Sequence, residues 1–242
     1  ATAIYGSRGA NGVILITTKR AKAGPPRLDI SVNYGLKFNQ RYPKLLNTQE
    51  YLAIRKEALR NDGIIPDKFN APDLVVWDST KFTDWQRELI GTGNTLNVNV
   101  GIGGGNSQSS YSLSAAYVSQ QEIMNNGGKN IRGNVNMNFN HSGLNQKFKL
   151  RLGNTISLTD SPAYALGNIT ALPPNAPDIY TEKGEFNFVP YRGQQTSIFP
   201  FSGLKVPSDS RTINLRSNMN VSYEILNGLI VSTLAGFNFS SN

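Results

Sequence analysis

The stretch "IRGNVNMNFN", Ile131 to Asn140, alternates apolar and polar side chains almost without a break. In an extended chain successive side chains point to opposite faces. Ile131, Val135, Met137 and Phe139 therefore share one face, and Arg132, Asn134, Asn136, Asn138 and Asn140 share the other. The apolar row must meet a protein core or lipid. The amide row must meet bulk water or a wet lumen.

The same period of two recurs in six other stretches: "RLDISVNYGLKF", "TLNVNVGIGG", "SYSLSAAYVS", "KFKLRLGNTISL", "TINLRSNMNVSY" and, at the end, "LIVSTLAGFNF". In the last, Leu229, Val231, Thr233, Ala235, Phe237 and Phe239 form the expected apolar face. The chain is thus all-β, with about seven long strands after residue 25. Soluble strands most often have about 5–6 residues, whereas a tilted strand crossing a bilayer needs about 9–11. These stretches keep the alternation for about ten. Their polar face is mostly Asn, Ser and Gly, which suits a hydrated lumen, and Tyr34, Phe38, Tyr111, Tyr117, Phe139, Tyr223 and Phe239 fall near strand ends, where an interfacial girdle belongs. A soluble, secreted β-sandwich that binds glycan at loop aromatics is the competing reading, because a sandwich also alternates.

Connection lengths bear on the choice. They run long (39–94), short (104–109), medium (121–130), short (141–146), very long (160–210) and short (224–228). A membrane barrel has short turns at one end and long loops at the other. Two helical stretches interrupt the first connection. "NTQEYLAIRKEALRND" has Asn47 and Glu50 at capping-box spacing; "FTDWQRELIG" repeats it with Thr83 and Gln86, with Gly91 as a stop. The intervening "GIIPDKFNAPDLVVWDST" reads as loop.

Of 242 residues, 17% are charged and 38% hydrophobic, and the net charge is +8. Lys and Arg are scattered, without a basic run or helix face, so no nucleic-acid partner is expected. The chain has no cysteine, which excludes disulfides, thiol catalysis and Cys-ligated zinc. The longest apolar runs, such as "GVILI", are far shorter than the roughly 20 residues of a transmembrane helix. Gly6, Gly9 and Gly12 in "GSRGANG" lack the spacing of a phosphate loop and read as turns. His141, the single histidine, falls in an expected short turn and reads as a solvated turn residue, with no nucleophile elbow to make it part of a triad. No carboxylate pair has the spacing of a glycosidase. Neither catalysis nor a cofactor or metal is expected. Tyr180, Phe186, Phe188, Tyr191 and Arg192 cluster in the longest connection, and Trp77 lies in the other long one. Aromatic platforms of this kind hold sugars or peptides, so these six are the candidate substrate-binding residues. Their alternative role is to pack the loop's own small core or an interface with a lid.

"ATAIYGSRGANGVILITTKRAKAG" resembles the end of the plug domain of SusC/RagA-type TonB-dependent outer-membrane transporters. "TDWQRELIGTGNTLNVNVGIGGGNSQSSYSLSAAYVSQQEIM" is similar to the part that follows, where a helix leads into the early barrel strands. The resemblance implies a barrel of about 22 strands with the plug inside it. It implies localisation in the bacterial outer membrane, contact with its lipid, and import of oligosaccharides or oligopeptides. The implied partners are a SusD-like surface lipoprotein acting as a lid and the TonB–ExbB–ExbD complex. On this reading residues 1–24 end the plug and 25–242 begin the barrel, a partial antiparallel transmembrane β-barrel with short helices in its first extracellular connection. Arg8 and Asn11 would meet the lumen wall. The sequence opens without a signal peptide or TonB box and holds only about seven strands, so it reads as a fragment of a longer protein.

Overall fold

The computed structural model describes Ile14 and residues 24–124, 128–143, 145–162, 172–192, 199–205 and 208–242. Arg8, Asn11, the glycines of "GSRGANG" and nearly all of residues 1–23 lie outside the described residues.

All seven expected strands are present: β1 (Gly24–Lys37), β2 (Gly93–Gly105), β3 (Ser109–Gln121), β4 (Lys129–Ser142), β5 (Phe148–Asp160), β6 (Arg211–Leu226) and β7 (Leu229–Ser241). They form one antiparallel sheet in sequence order. Each has 13 to 16 residues, longer than the alternation alone marks out. Directly paired residues share a face, so the register can be read across all seven strands. One row is Ile30–Val100–Ala115–Val135–Ile156–Leu215–Phe239. The next row, on the opposite face, is Ser31–Asn99–Ala116–Asn134–Ser157–Asn214–Ser240. The two faces stay chemically distinct across the sheet because the register slips only at strand ends, between Gly24 and Arg27 of β1 and between Glu224 and Leu226 of β6. On the polar face, side-chain amides and hydroxyls bond across strands: Asn99 Nδ2 donates to Ser31 Oγ at 3.3 Å and Thr155 Oγ1 to Asn136 Oδ1 at 2.9 Å.

The apolar face is uncovered. Ile30 is 63% exposed, Val135 41% and Ile156 51%. Among the described residues, every buried hydrophobic side chain lies in the long connections and none on a strand. A sandwich needs a second sheet about 10 Å away over that face, and the seven strands make a single sheet. The sandwich alternative is therefore set aside. The fold is a partial antiparallel barrel whose greasy side has no protein partner in the described chain.

The long connections, β1 to β2, β3 to β4 and β5 to β6, all leave from one end, and the short ones from the other. The short ones are shorter than the sequence suggests. β6 runs on to Leu226, so its turn is only Asn227–Gly228, with Gly228 at φ +85°. His141 lies in β4 and not in a turn, because it pairs with Ser109 on one side and Leu150 on the other.

In the first connection α1 (Thr48–Asn61) has the expected capping box: Asn47 Oδ1 accepts from Glu50 N and Glu50 Oε2 from Asn47 N, both at 2.9 Å. A short α2 (Pro72–Val75) stands where a loop was expected, with Pro72 in its first turn. α3 (Trp85–Leu89) is capped by Asp84, whose carboxylate accepts from Gln86 N and Arg87 N, and not by Thr83. The Thr83 N–H is committed to Pro174 O at 2.7 Å, which pulls that residue across to the other long connection.

Candidate functional site

The two longest connections pack on each other at one end of the sheet and form a cap with its own core. From the first connection come Trp85 and Leu89 on α3; from the second come Ala176, Ile179, Tyr191, Phe199 and Phe201. Phe199 is the hub of this core. Its ring lies 4.6 Å from Phe188, 5.3 Å from Tyr191, 5.8 Å from Phe186 and 5.4 Å from Phe201, mostly edge to face. Each such pair adds about 0.5–1.5 kcal/mol beyond its burial. Trp85 stacks on Phe201 at 5.6 Å, and its Nε1–H donates to Pro173 O at 2.9 Å. Further hydrogen bonds join the connections: Trp77 Nε1 to Pro190 O, and Lys81 Nζ to Ala176 O and to the Asp178 carboxylate. One bond runs the other way, from Asn175 Nδ2 to Asp73 O at 2.8 Å, so the two connections are tied in both directions.

The cap brings together five of the six candidate binding residues. Tyr191 is buried, its hydroxyl donating to Pro177 O at 2.8 Å. Burial and the nearby Asp178 push its pKa well above the usual tyrosine value. Trp77, Phe186 and Phe188 are half-buried against the core. Tyr180 rests on Phe186 at 5.2 Å and is 42% exposed. Arg192 is exposed just after the 3-10 turn Val189–Tyr191 and stands apart from the cluster. Trp85, Phe199 and Phe201, which anchor the core, had no sequence signal beyond aromatic density beside proline in "FPF" (199–201).

Two recesses flank the segment 82–87. One, about 500 Å³, is lined by Tyr42, Lys44, Leu45, Tyr51, Phe82 and Trp85 among others. The second, about 520 Å³, lies between that segment and Asp178, Ile179 and Tyr180. The Arg87 guanidinium sits 5.1 Å over the Tyr42 ring and 3.3 Å from the Asp84 carboxylate. At the floor of the cap, Tyr51 donates to Asp73 Oδ2 at 3.0 Å and Arg55 reaches the same oxygen at 3.4 Å. Burial first, and Asp73 second, raise the Tyr51 pKa. Aromatic walls with charged groups at the rim can hold a flexible oligomer by stacking and hydrogen bonds.

At the other end of the sheet Ser109 Oγ lies 2.8 Å from His141 Nδ1. The two are register partners on β3 and β4, and no carboxylate among the described residues completes a triad. Among the described residues no cluster of three His, Cys, Asp or Glu forms a metal site.

No family model matches the chain. It is 34% identical over 126 residues to TonB-dependent receptor P3 of Formosa agariphila, covering 52% of this chain and 11% of that receptor. It is 29% identical over 225 residues to TonB-dependent receptor SusC of Bacteroides thetaiotaomicron, covering 91% of this chain and 21% of SusC. The chain thus spans about a tenth to a fifth of these relatives. In fold it matches the RagAB peptide importer in its open-open state, with a TM-score of 0.77 at 19% identity, over 99% of this chain and 30% of that one.

Proposed function

The chain belongs with the SusC/RagA-type TonB-dependent outer-membrane transporters, and from that premise we propose that its protein imports oligosaccharides or oligopeptides across the outer membrane. The observation that carries this reading is the sheet itself. One face, apolar and uncovered, borders lipid; the other, rich in Asn and Ser, borders a hydrated lumen; and every long connection rises from one end. Such a wall performs no bond-breaking chemistry. It binds, gates and conducts.

In this scheme the cap faces outward and meets cargo first. Tyr180 and Arg192, open to solvent, contact it directly, while Trp77, Phe186, Phe188 and Tyr191 hold the platform rigid beneath them. A SusD-like lipoprotein closes over the cap, and the TonB–ExbB–ExbD complex drives release. Residues 1–24 end the plug and 25–242 begin the barrel; Arg8 and Asn11 lie at the contact between them. The test is uptake of labelled oligosaccharide and peptide pools by cells carrying the complete transporter and its lipoprotein. Uptake that stops without TonB, and weakens when Tyr180 and Arg192 are replaced by Ala, supports the reading. Uptake that persists without TonB overturns it.

A further inference from the structure

The polar face of β4, β5 and β6 carries four cations: Arg132, Lys149, Arg151 and Arg216, all exposed. The ion pairs among the described residues are Arg27–Asp29, Arg55–Asp73, Lys81–Asp178 and Arg87–Asp84, and none involves these four. Of the four, Arg216 alone has a side-chain hydrogen-bond partner among the described residues, Asn238 Oδ1 at 3.3 Å.

The register sets their heights. Arg132 lies opposite Thr159, and Arg216 opposite Thr155. Measured along β5, the cations therefore stand at the levels of residues 149, 151, 155 and 159. At about 3.3 Å per residue the steps are about 7, 13 and 13 Å, and together they run about 33 Å, the length of the wall. The cations are thus spread into a track and not gathered into a cluster. Among the strands, the acidic residues on this face are Asp29, taken by Arg27 over on β1, and Glu224, at the short-turn end of β6. Residues 1–23 contain Arg8, Lys19, Arg20 and Lys22 and no Asp or Glu.

We propose that this wall is a cationic track that selects anionic oligosaccharides, bearing carboxylate or sulfate groups, as the transporter's cargo. The inference rests on the transport reading above and names its substrate class. Guanidinium forks match the paired oxygens of a carboxylate or a sulfate, and charges spaced along a lumen pass an anion from site to site without trapping it. Between the cations the wall offers side-chain amides and hydroxyls, which suit sugar hydroxyls. On the described strands it offers few apolar side chains for those of a peptide, and the recess at its short-turn end is lined by Ser110, Asn140, Lys149 and Arg151 among others, so a glycan is favoured over an acidic peptide.

The experiment uses cells carrying the complete transporter with its lipoprotein. Four labelled oligomers of matched length are supplied: a neutral oligosaccharide, a uronate-bearing one, a sulfated one and an acidic peptide. The wild type should take up one or both anionic sugars about tenfold faster than the neutral one, with a preference that shrinks as salt is raised. The combined variant Arg132→Gln, Arg151→Gln, Arg216→Gln should lose that preference and keep neutral uptake. Heat-modifiable migration on gels reports that the variant barrel has folded. The faster of the two anionic sugars identifies carboxylate or sulfate as the recognised group. Equal uptake of neutral and anionic sugars by the wild type overturns the proposal, as does a preference for the acidic peptide. A variant that slows neutral and anionic sugars alike also overturns it, because the cations then serve the plug and not the cargo. If the wild type takes up none of the four but the cells import other nutrients, the transport reading itself fails.

Discussion

Asn154 and Ser217 face each other across the middle of β5 and β6, and the Ser217 hydroxyl donates to Asn154 Oδ1 at 2.7 Å. Their row, Ile102–Leu113–Met137–Asn154–Ser217–Phe237, belongs to the apolar face. In hydrocarbon an unmatched acceptor is costly, whereas a matched pair replaced by apolar groups of similar shape is nearly neutral. Ser217→Ala alone should therefore destabilise the complete barrel by about 1–3 kcal/mol. Asn154→Leu combined with Ser217→Ala should leave its stability unchanged or raised. Urea unfolding in lipid vesicles, followed by tryptophan fluorescence, measures both. A double variant as unstable as the single one would mean that the pair faces water.

Gly105 ends β2 where a methyl group would sit 2.2 Å from Ser109 O and 2.6 Å from Ser110 Cα. Gly105→Ala must push the β2–β3 ladder apart and should cost about 1–3 kcal/mol. Gly133, with open space around its missing side chain, is the matched control and should tolerate alanine. The yield of folded, heat-modifiable barrel on gels separates the two, and equal yields would contradict the geometry.

The strands were legible because two faces in chemically different surroundings impose a period of two that no soluble loop imitates. α1 was legible from Asn47 and Glu50, a local pair. What escaped depends on distance along the chain. Asp84 displaced Thr83 as a cap because Thr83 is held by Pro174, some ninety residues on. α2 is a single turn, too short for periodicity to register. The aromatic residues of the long connection were visible as a group. Which of them are buried was not, since Trp85 and Trp77 arrive from the other connection to cover them. His141 opens the polar stretch "HSGLNQ", which reads as a turn, yet its strand continues through pairing on both sides.

Trp85 is the point where the two connections depend on each other. Trp85→Ala removes a large buried ring and leaves Pro173 O without its donor, an expected loss of about 3–5 kcal/mol from the cap. Trp85→Phe keeps the packing against Phe201 and loses only the hydrogen bond, about 1 kcal/mol. Hydrogen exchange on the complete transporter should show faster exchange at 85–89 and 172–191 in the alanine variant, with the β2–β3 ladder still protected. Loss of protection in the ladder as well would mean that cap and sheet unfold as one unit.

The buried Tyr191 hydroxyl should make the cap sensitive to alkali. Its pKa is raised above the ordinary value of about 10, chiefly by burial and further by Asp178, so the folded cap favours the neutral phenol. A group raised in the folded state contributes stability that is fully present below its unfolded pKa. That contribution drains away as pH rises through about 10 towards the folded value. Tyr51, raised in the same direction by burial and by Asp73, adds to the effect. Cap stability should therefore be flat from neutral pH to about 9 and fall above it. Tyr191→Phe loses the hydrogen bond to Pro177 O, at about 0.5–1.5 kcal/mol near neutral pH, and should flatten the alkaline fall in return. Denaturant titrations of the cap between pH 7 and pH 11, read by the fluorescence of Trp77 and Trp85, give both slopes. An unchanged alkaline slope in Tyr191→Phe would show that the phenol ionises freely and that the cap core is more open to water than its packing implies.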